Sequence, residues 1–221
     1  MNPLLRSSAA HIFVPSLTSP VPEPDDAHHL FRVLRLRDGE VVTVSDGLGG
    51  WRCTEVAGTA LRPTGEEVRE AQAKQCTIAA AIPKGDRLEW MVQKLTEIGV
   101  SRIVLVHCAR SVVRWPAERA ERQLQRLGRV AREAAAQSRR TWLPVLEGPL
   151  AFATVASIPG AVLADPDGEP LVEASVVVIG PEGGFTDEEL GVGPAKVRLA
   201  DTVLRVETAA LLAAARVLAP I

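Results

Sequence analysis

A glycine-rich turn between a predicted strand and a predicted helix is the segment of this chain best suited to chemistry. The sequence VVVIG (176–180) reads as a buried strand, and Pro181–Gly184 follow it directly. Glycine lets a ligand approach the backbone closely, and open α/β sheets bind ligands at the carboxyl ends of their strands. We therefore expect a ligand site here, although the segment alone leaves open an ordinary turn between strand and helix.

The charges around this turn argue against a phosphate-binding loop. Thr186 and Glu189 have the spacing of a capping box, which would use the free amides at the start of the next helix. Asp187 and Glu188 lie in the same helical turn, Glu182 lies just before it, and the lysine of a Walker motif is missing. A ligand with little negative charge suits this site better, and the cationic sulfonium of S-adenosylmethionine fits it better than ATP or NAD.

A second segment, VRLADTVLRVETAALL (197–212), predicts a strand that ends at Ala200 and a helix that starts near Glu207. Arg205 and Glu207 flank the start of that helix. One interpretation is structural, because an acid is favoured at a helix N-terminus and Arg205 could be its ion-pair partner. The other interpretation is functional, with both side chains lining the same pocket as the glycine-rich turn.

Composition excludes several classes of protein. Apolar residues make up 47% of the 221 residues and charged residues 24%, as in ordinary globular proteins of one or two domains. The cysteines and histidines are few and scattered: Cys53, Cys76, Cys108, His11, His28, His29 and His107. The odd number of cysteines argues against a disulfide framework, and the spacing predicts reduced, buried thiols and no metal site.

Apolar stretches are too short for a targeting or membrane segment. The first 15 residues contain Arg6 and do not resemble a signal peptide. The longest apolar stretch, 209–221, carries Arg216 and falls short of the roughly 20 residues that span a bilayer. We expect a cytoplasmic protein without a membrane partner.

Positive charge is concentrated in one region although the net charge is only −2. Residues 101–140 hold ten arginines and three glutamates, an excess of seven, while the remaining 15 basic and 24 acidic residues leave −9. Composition alone fits either a polyanion-binding face or a solvated arginine-rich helix. Helical spacing favours the polyanion-binding face, because charged and uncharged residues fall on opposite sides of the predicted helix. One side holds Arg119, Arg122, Arg126, Arg129 and Arg140, and the other holds Leu124, Leu127, Ala131, Ala134 and Ser138.

The order of predicted elements divides the chain into two domains. A short helix over 28–40, closed by Gly39, precedes a β-hairpin over 40–58, and 60–71 completes a small β-barrel. From 76 onward strands and helices alternate, beginning with a β-α-β unit over 76–108, which predicts a parallel sheet. We therefore expect an α/β fold with domains at 1–72 and 73–221.

Five segments carry a resemblance to a known family. QKLTEIGV (93–100), EAAAQSRR (133–140), IGPEGGFTDEE (179–189) and LADTVLRVETA (199–209) resemble the four signature segments of the RsmE ribosomal RNA methyltransferases, which belong to the SPOUT class. The N-terminal HHLFRVLRLRDGE, with VSDGLGG, is similar to the PUA-like RNA-binding domain of that family. The match covers nearly the whole chain in the right order.

The resemblance implies a SPOUT-type trefoil-knotted parallel sheet domain after a small PUA-like β-barrel domain, and a homodimer. It implies methylation of N3 of a uridine in 16S ribosomal RNA, near the decoding site, with S-adenosylmethionine as the donor. The substrate could be free 16S ribosomal RNA or the small ribosomal subunit. Two alternatives stay open: a SPOUT enzyme that methylates another RNA base or a ribose 2′-hydroxyl, and a non-catalytic RNA-binding factor.

The resemblance also implies particular site residues. The cofactor loops should be formed by Leu163, Ala164, Asp165, Ile179, Gly180, Pro181, Glu182, Gly183, Gly184, Leu199, Ala200, Leu204 and Arg205. At Ala200, Thr202 and Val206 the family more often has glycine, arginine and threonine.

Roles in catalysis and RNA binding follow as hypotheses from this resemblance. We expect Arg205 to stabilise negative charge on the uracil oxygens, and Glu207 to orient Arg205 or to act as the base. RNA phosphates should be bound by six arginines: Arg32, Arg35, Arg37, Arg110, Arg114 and Arg139.

Overall fold

A computed structural model describes residues 2–72, 74–171 and 173–219. The chain forms two compact units, one of Met1–Ala73 with Arg132–Leu143 and the other of Lys74–Ala131 with Pro144–Ile221. The domain boundary expected after residue 72 falls at Ala73, which lies outside the described residues. It stays a prediction, and residues 132–143 group with the first unit.

A five-stranded sheet organises the first unit. Its elements are α1 (Pro3–Ser7), β1 (Ala10–Phe13), α2 (Pro24–His28), β2 (Val41–Ser45), β3 (Gly50–Ala57), β4 (Ala60–Pro63) and β5 (Val68–Arg69). β1 pairs with β2 in parallel, whereas β2–β3, β3–β4 and β3–β5 are antiparallel. The predicted hairpin is therefore confirmed.

The helix predicted over 28–40 is wrong in its extent. α2 continues into one π-helical turn over His29–Val33, and the chain then leaves the helical path. Arg35 has a φ of 54°, in the left-handed region that ends a right-handed helix. The residues after it therefore extend toward Gly39 outside any helix.

A six-stranded parallel sheet forms the centre of the second unit, in the order β11-β9-β10-β6-β7-β8. Its strands are β6 (Thr77–Ala81), β7 (Arg102–His107), β8 (Val145–Ala151), β9 (Ala161–Pro170), β10 (Val176–Ile179) and β11 (Lys196–Arg198). The helices are α3 (Arg87–Ile98), α4 (Ala117–Gln137), α5 (Phe152–Ala156), α6 (Asp187–Val192) and α7 (Val206–Leu218). The predicted parallel α/β class is confirmed.

Apolar side chains cover both faces of this sheet. One cluster joins α3 and α7 to the sheet through fully buried Met91, Leu95 and Ala210. A second cluster holds Phe152 and Phe185, whose ring centroids lie 5.4 Å apart. Burial on both faces explains why the strands read as continuous apolar runs.

Two elements of the second unit were missed by the sequence patterns, as were α1, β1 and the start of α2 in the first unit, and one helix was predicted well. β8 contains Gly148 and Pro149, which break the pattern of a strand, and the five-residue α5 is too short to show a periodicity. On α4, Leu127, Ala131 and Ala134 are buried and Arg119, Arg122, Arg126 and Arg129 are exposed. The predicted separation of the two faces is confirmed for these residues.

Among the described residues, no helix combines the length and apolar character that crossing a membrane requires.

Candidate active site

A cavity of about 290 Å³ lies in the second unit at the carboxyl end of β10 and beside the middle of β9, and we call it the cofactor cavity. Its size is close to the lower end of small-molecule sites, about 300 Å³. Eleven predicted cofactor residues line it: Ala164, Asp165, Ile179, Gly180, Pro181, Glu182, Gly183, Gly184, Leu199, Ala200 and Leu204. The structure thus brings the three predicted loops together around one space.

Leu163 and Arg205 lie elsewhere. Leu163 is fully buried in the apolar cluster of β9, one residue before the lining begins. Arg205 lines a neighbouring cavity. Thr202 and Val203 also line the cofactor cavity and lie within the expected loop 199–205, whereas four residues of the lining were missed: Pro166, Phe185, Val206 and Ala209. Pro166 and Phe185 extend predicted loops by one residue, and the i, i+3 spacing of Val206 and Ala209 could have shown that they share a face of α7.

The cofactor cavity carries negative charge only. Asp165 and Glu182 are its charged residues, and no lysine, arginine or histidine belongs to its lining in the described part of the chain. Ala200, Thr202 and Val206, where the sequence departs from the family, all face this space. A cationic sulfonium is favoured by such a lining, whereas a polyphosphate would be repelled.

The glycine-rich turn is tight at Gly180 and takes a left-handed backbone conformation at Gly184. The Gly184 amide donates to the Pro181 carbonyl oxygen at 2.8 Å, and Gly184 has a φ of 70°. A Cβ atom added at Gly180 would lie 3.0 Å from the Phe185 ring. The Arg110 guanidinium donates to the carbonyl oxygens of Gly183 and Phe185, at 2.9 and 3.0 Å. Arg110 therefore holds the turn from outside the cofactor cavity.

The start of α6 is closed to a phosphate, as the sequence predicted. Thr186 Oγ1 accepts from the Glu189 amide at 3.2 Å, and Glu189 Oε2 accepts from the Thr186 amide at 2.9 Å. The other Glu189 carboxylate oxygen accepts from the Ala109 amide at 2.8 Å. The capping box is confirmed, and it leaves this helix end no free amides at those positions for an anion.

A second cavity, of about 590 Å³, has the opposite charge, and we call it the basic cavity. Its lining consists of Lys84, Arg87, Arg110, Val112, Glu182, Gly183 and Arg205. Four cations thus face one carboxylate. Glu182 and Gly183 belong to both cavities, so the glycine-rich turn is the wall between them.

Arg87 connects that wall to the start of α7. Its Nε donates to the Lys84 carbonyl oxygen at 3.1 Å. Its Nη1 lies 3.5 Å from Glu207 Oε1, and its Nη2 lies 3.6 Å from Glu182 Oε1. Sequence reasoning missed Lys84 and Arg87, which it placed only within the predicted β-α-β unit over 76–108. Two basic residues at the end of a buried parallel strand were the available signal.

Glu207 is buried, with 7% of its side chain exposed, and lines neither cavity. Its carboxylate contacts the Arg87 guanidinium rather than that of Arg205. Its Oε2 atom has no hydrogen-bond partner among the described residues. The catalytic roles expected for Arg205 and Glu207 stay predictions, and the structure places Arg205 at the basic cavity and Glu207 behind Arg87.

The six arginines expected to bind RNA divide between the units. Arg32, Arg35 and Arg37 are exposed on the first unit. Arg139, also in the first unit, is half-buried and donates to the Ser8 carbonyl oxygen at 2.9 Å; burial lowers the pKa of its guanidinium. In the second unit, Arg114 donates to the Cys108 and Ala109 carbonyl oxygens, at 3.0 and 3.1 Å.

Thiol and metal chemistry have no visible place in the described residues. Cys53, Cys76 and Cys108 are free, and burial raises the pKa of Cys76 to about 11 and that of Cys108 to about 12. Such thiols are poor nucleophiles because the thiolate is the reactive form. Within residues 2–72, 74–171 and 173–219 no group of three or more His, Cys, Asp or Glu residues could hold a metal ion.

Comparison with known proteins gives the same picture for both units. Residues 70–218 match the RNA methyltransferase domain family, and 21–59 match the RNA methyltransferase PUA domain. Ribosomal RNA small subunit methyltransferase E of Mycobacterium bovis is 30% identical over 87% of this chain and 83% of its own length. The Synechocystis protein of the same name is 35% identical over 86% of this chain and 69% of its own length.

A solved structure is similar to this chain over both units. Ribosomal RNA small subunit methyltransferase E of Neisseria gonorrhoeae, bound to S-adenosylmethionine, has 26% sequence identity and a TM-score of 0.76. The match covers 93% of this chain and 95% of that one. Both sheets, the cavity at the glycine-rich turn and these relatives lead to one assignment: the chain belongs to the RNA methyltransferase family, in the group of ribosomal RNA small subunit methyltransferase E.

Proposed function

We propose that this protein is an enzyme that transfers a methyl group from S-adenosylmethionine to N3 of a uridine in 16S ribosomal RNA, near the decoding site. The observation that carries the proposal is the pair of adjoining cavities, one lined by carboxylates and one by cations, with the glycine-rich turn between them. A sulfonium donor suits the first and a polyanion suits the second. The relatives named above act on small-subunit ribosomal RNA.

The cofactor cavity would hold the donor through the three loops that line it. Backbone groups of Gly180–Gly184, without side-chain bulk at Gly180, let a flat ring or a short chain lie against the turn. Asp165 and Glu182 supply the negative charge that complements a sulfonium. When bound there, S-adenosylmethionine supplies an electrophilic methyl group. Leu163 and Arg205 are also proposed as cofactor contacts. Leu163 would act from the buried apolar cluster beside β9, and Arg205 from the basic cavity.

On the acceptor side, N3 lies on the pairing edge of uracil, so the base must leave its pair before it can react. Arg205 lines the basic cavity, where it would stabilise negative charge on the uracil oxygens as N3 loses its proton. Glu207 would act on this site through Arg87, which it contacts. Holding the acceptor in line with the methyl group accounts for much of the rate acceleration.

RNA phosphates would be bound by Arg32, Arg35 and Arg37 on the first unit and by Arg110 and Arg114 on the second. Arg139 belongs to the same proposal, although its guanidinium is already bound to the Ser8 carbonyl oxygen. We further propose a homodimer, a trefoil knot in the second unit, and a cytoplasmic location where 16S ribosomal RNA or the small subunit is available.

Reverse transcription of ribosomal RNA tests this proposal. RNA from cells with the gene, from cells without it, and from complemented cells is compared along the 16S molecule. Methylation at N3 blocks base pairing and stops the polymerase, so a stop at one uridine should vanish without the gene and return on complementation. Identical patterns in all three strains, or a change that only ribose-sensitive chemistry detects, would reject N3 methylation. Absence of S-adenosylmethionine binding in calorimetry would favour a non-catalytic RNA-binding factor.

A further inference from the structure

Glu182 lies at the boundary between the cofactor cavity and the basic cavity. Both linings include it, and its only companion in both is Gly183, which has no side chain. Its carboxylate is 42% exposed and therefore open to a ligand. Among the described residues, Glu182 is thus the one ionisable side chain that faces the proposed donor site and the proposed acceptor site together.

Methyl transfer to N3 needs a group at this boundary. The nitrogen carries a proton that must leave, and the proton acceptor must come within hydrogen-bond reach of N3 while N3 faces the methyl group. Asp165 lines the cofactor cavity alone. Glu207 lines neither cavity, and its carboxylate is buried behind Arg87. The position of Glu182 therefore makes it a better proton acceptor for N3 than Asp165 or Glu207.

We propose that Glu182 accepts the N3 proton of the acceptor uridine, an inference that rests on the function proposed above. The N3–H bond breaks, its proton goes to the Glu182 carboxylate, and the electron pair left on N3 forms the new N–CH₃ bond. The electron pair of the broken S–CH₃ bond stays on sulfur, which becomes a neutral thioether. Glu182 then returns the proton to water, so charge and atoms balance.

Arg87 acts as a positioning residue in this arrangement. Its guanidinium is fixed by the Lys84 carbonyl oxygen and by Glu207, and its Nη2 lies 3.6 Å from Glu182 Oε1. This contact restrains the Glu182 carboxylate while the second carboxylate oxygen remains available to accept a proton. Glu207 keeps Arg87 in place, which gives that buried acid a role without contact to the RNA.

The same carboxylate would select uridine over cytidine. The N3 of uracil donates a hydrogen bond, whereas the N3 of cytosine carries a lone pair and only accepts. A carboxylate at this position therefore attracts uracil and repels cytosine. Replacement of Glu182 by glutamine leaves the shape unchanged but adds an NH₂ donor that can bind cytosine N3.

Binding measurements test this without any turnover. A 16S fragment with uridine or cytidine at the modified position is titrated against the wild type, Glu182→Gln and the control Glu97→Gln. Glu97 is a matched control because its carboxylate also pairs with a cation, Lys94, at 2.8 Å. The wild type and Glu97→Gln should prefer uridine by about tenfold, the contribution of a hydrogen bond to a charged group, and Glu182→Gln should lose that preference. An unchanged preference in Glu182→Gln contradicts the proposal.

Kinetics separate a proton acceptor from a merely structural residue. With saturating donor, Glu182→Gln should lower kcat by about 10² to 10⁴, the usual range for general base catalysis. A fragment with 5-fluorouridine at the target has a more acidic N3–H, so the variant should recover part of this loss. A loss of the same size on both substrates would make Glu182 a positioning residue and overturn the proposal. If the wild type forms no N3-methyluridine at all, the proposed function itself fails.

Discussion

The cofactor cavity and the basic cavity share two residues and yet differ in sign. One is lined by Asp165 and Glu182 without a cation in the described lining, and the other by Lys84, Arg87, Arg110 and Arg205 with one carboxylate. A single turn of backbone thus separates a space that favours positive charge from one that favours negative charge. With the proposed function, this arrangement would keep RNA phosphates out of the donor site although both ligands must meet at the turn.

Among the variants that compare the two cavities, replacing Arg205 by alanine should have the largest effect. Its guanidinium lines the basic cavity only and forms no ion pair with the described residues. Loss of one group that stabilises developing negative charge lowers kcat by about 10² to 10³. Single-turnover kinetics with saturating RNA should show this loss, while calorimetry should show unchanged S-adenosylmethionine affinity. Equal turnover, or a parallel loss of cofactor binding, would remove the functional distinction between the cavities.

Replacing Gly180 by valine should act on the other side of the turn. The new Cβ would lie 3.0 Å from the Phe185 ring, and the branched side chain would enter the cofactor cavity. Overpacking costs about 1–3 kcal/mol, so S-adenosylmethionine affinity should fall about tenfold or more. RNA affinity, measured by fluorescence anisotropy, should not change.

Gly128→Ala is the control for that variant. A Cβ atom at this position of α4 meets nothing within 4 Å. The variant should bind S-adenosylmethionine as the wild type does and melt at the same or a slightly higher temperature. Normal donor binding by Gly180→Val would show that the donor does not use the glycine-rich turn.

A smaller effect is expected for Lys84→Ala, which removes one charge from the basic cavity. RNA affinity should weaken modestly, and the slope of log affinity against log salt concentration should fall by about 1. Lys94→Ala is a matched control, because Lys94 lies on α3 and is already paired with Glu97 at 2.8 Å. S-adenosylmethionine binding should be unchanged in both. A slope that is unaltered by Lys84→Ala would mean that no phosphate reaches this cavity.

Sequence patterns predicted the cofactor cavity better than the basic one. The glycine-rich turn could be predicted from its own residues, because it follows a buried strand of a parallel sheet. The family resemblance supplied the other two cofactor segments, and the first of them, 163–165, lies inside β9 rather than in a loop. Part of the charge of the cofactor cavity could be predicted as well, because Glu182 belongs to the glycine-rich turn, whereas the acids of α6 line neither cavity. The place of Ala209 in the lining could have been predicted from the helical period of α7 alone.

The basic cavity could not be predicted, because its residues are far apart in the sequence. Lys84 precedes α3 and Arg87 begins it, Arg110 follows β7, and Arg205 precedes α7. Only the strand order, in which β6 lies between β10 and β7, brings these ends near one another. The contact of Glu207 with Arg87 in place of Arg205 has the same cause. Sequence proximity suggested the wrong neighbour, since successive residues at a helix start point in different directions.

The late segment 132–143 has a consequence for how this protein is made. His11 Nε2 donates to the Arg140 carbonyl oxygen at 3.0 Å, and Ser45 Oγ donates to the Thr141 carbonyl oxygen at 3.1 Å. A nascent chain that stops after residue 72 has neither acceptor. The Ser45 hydroxyl can then donate to the Gly50 carbonyl oxygen, at 2.8 Å, but His11 Nε2 loses its acceptor, and a buried donor without a partner costs about 1–3 kcal/mol. We therefore expect the first unit to be complete only after the ribosome has also synthesised α3 and all of α4. A gene fragment cut at the early boundary would express an unfinished module.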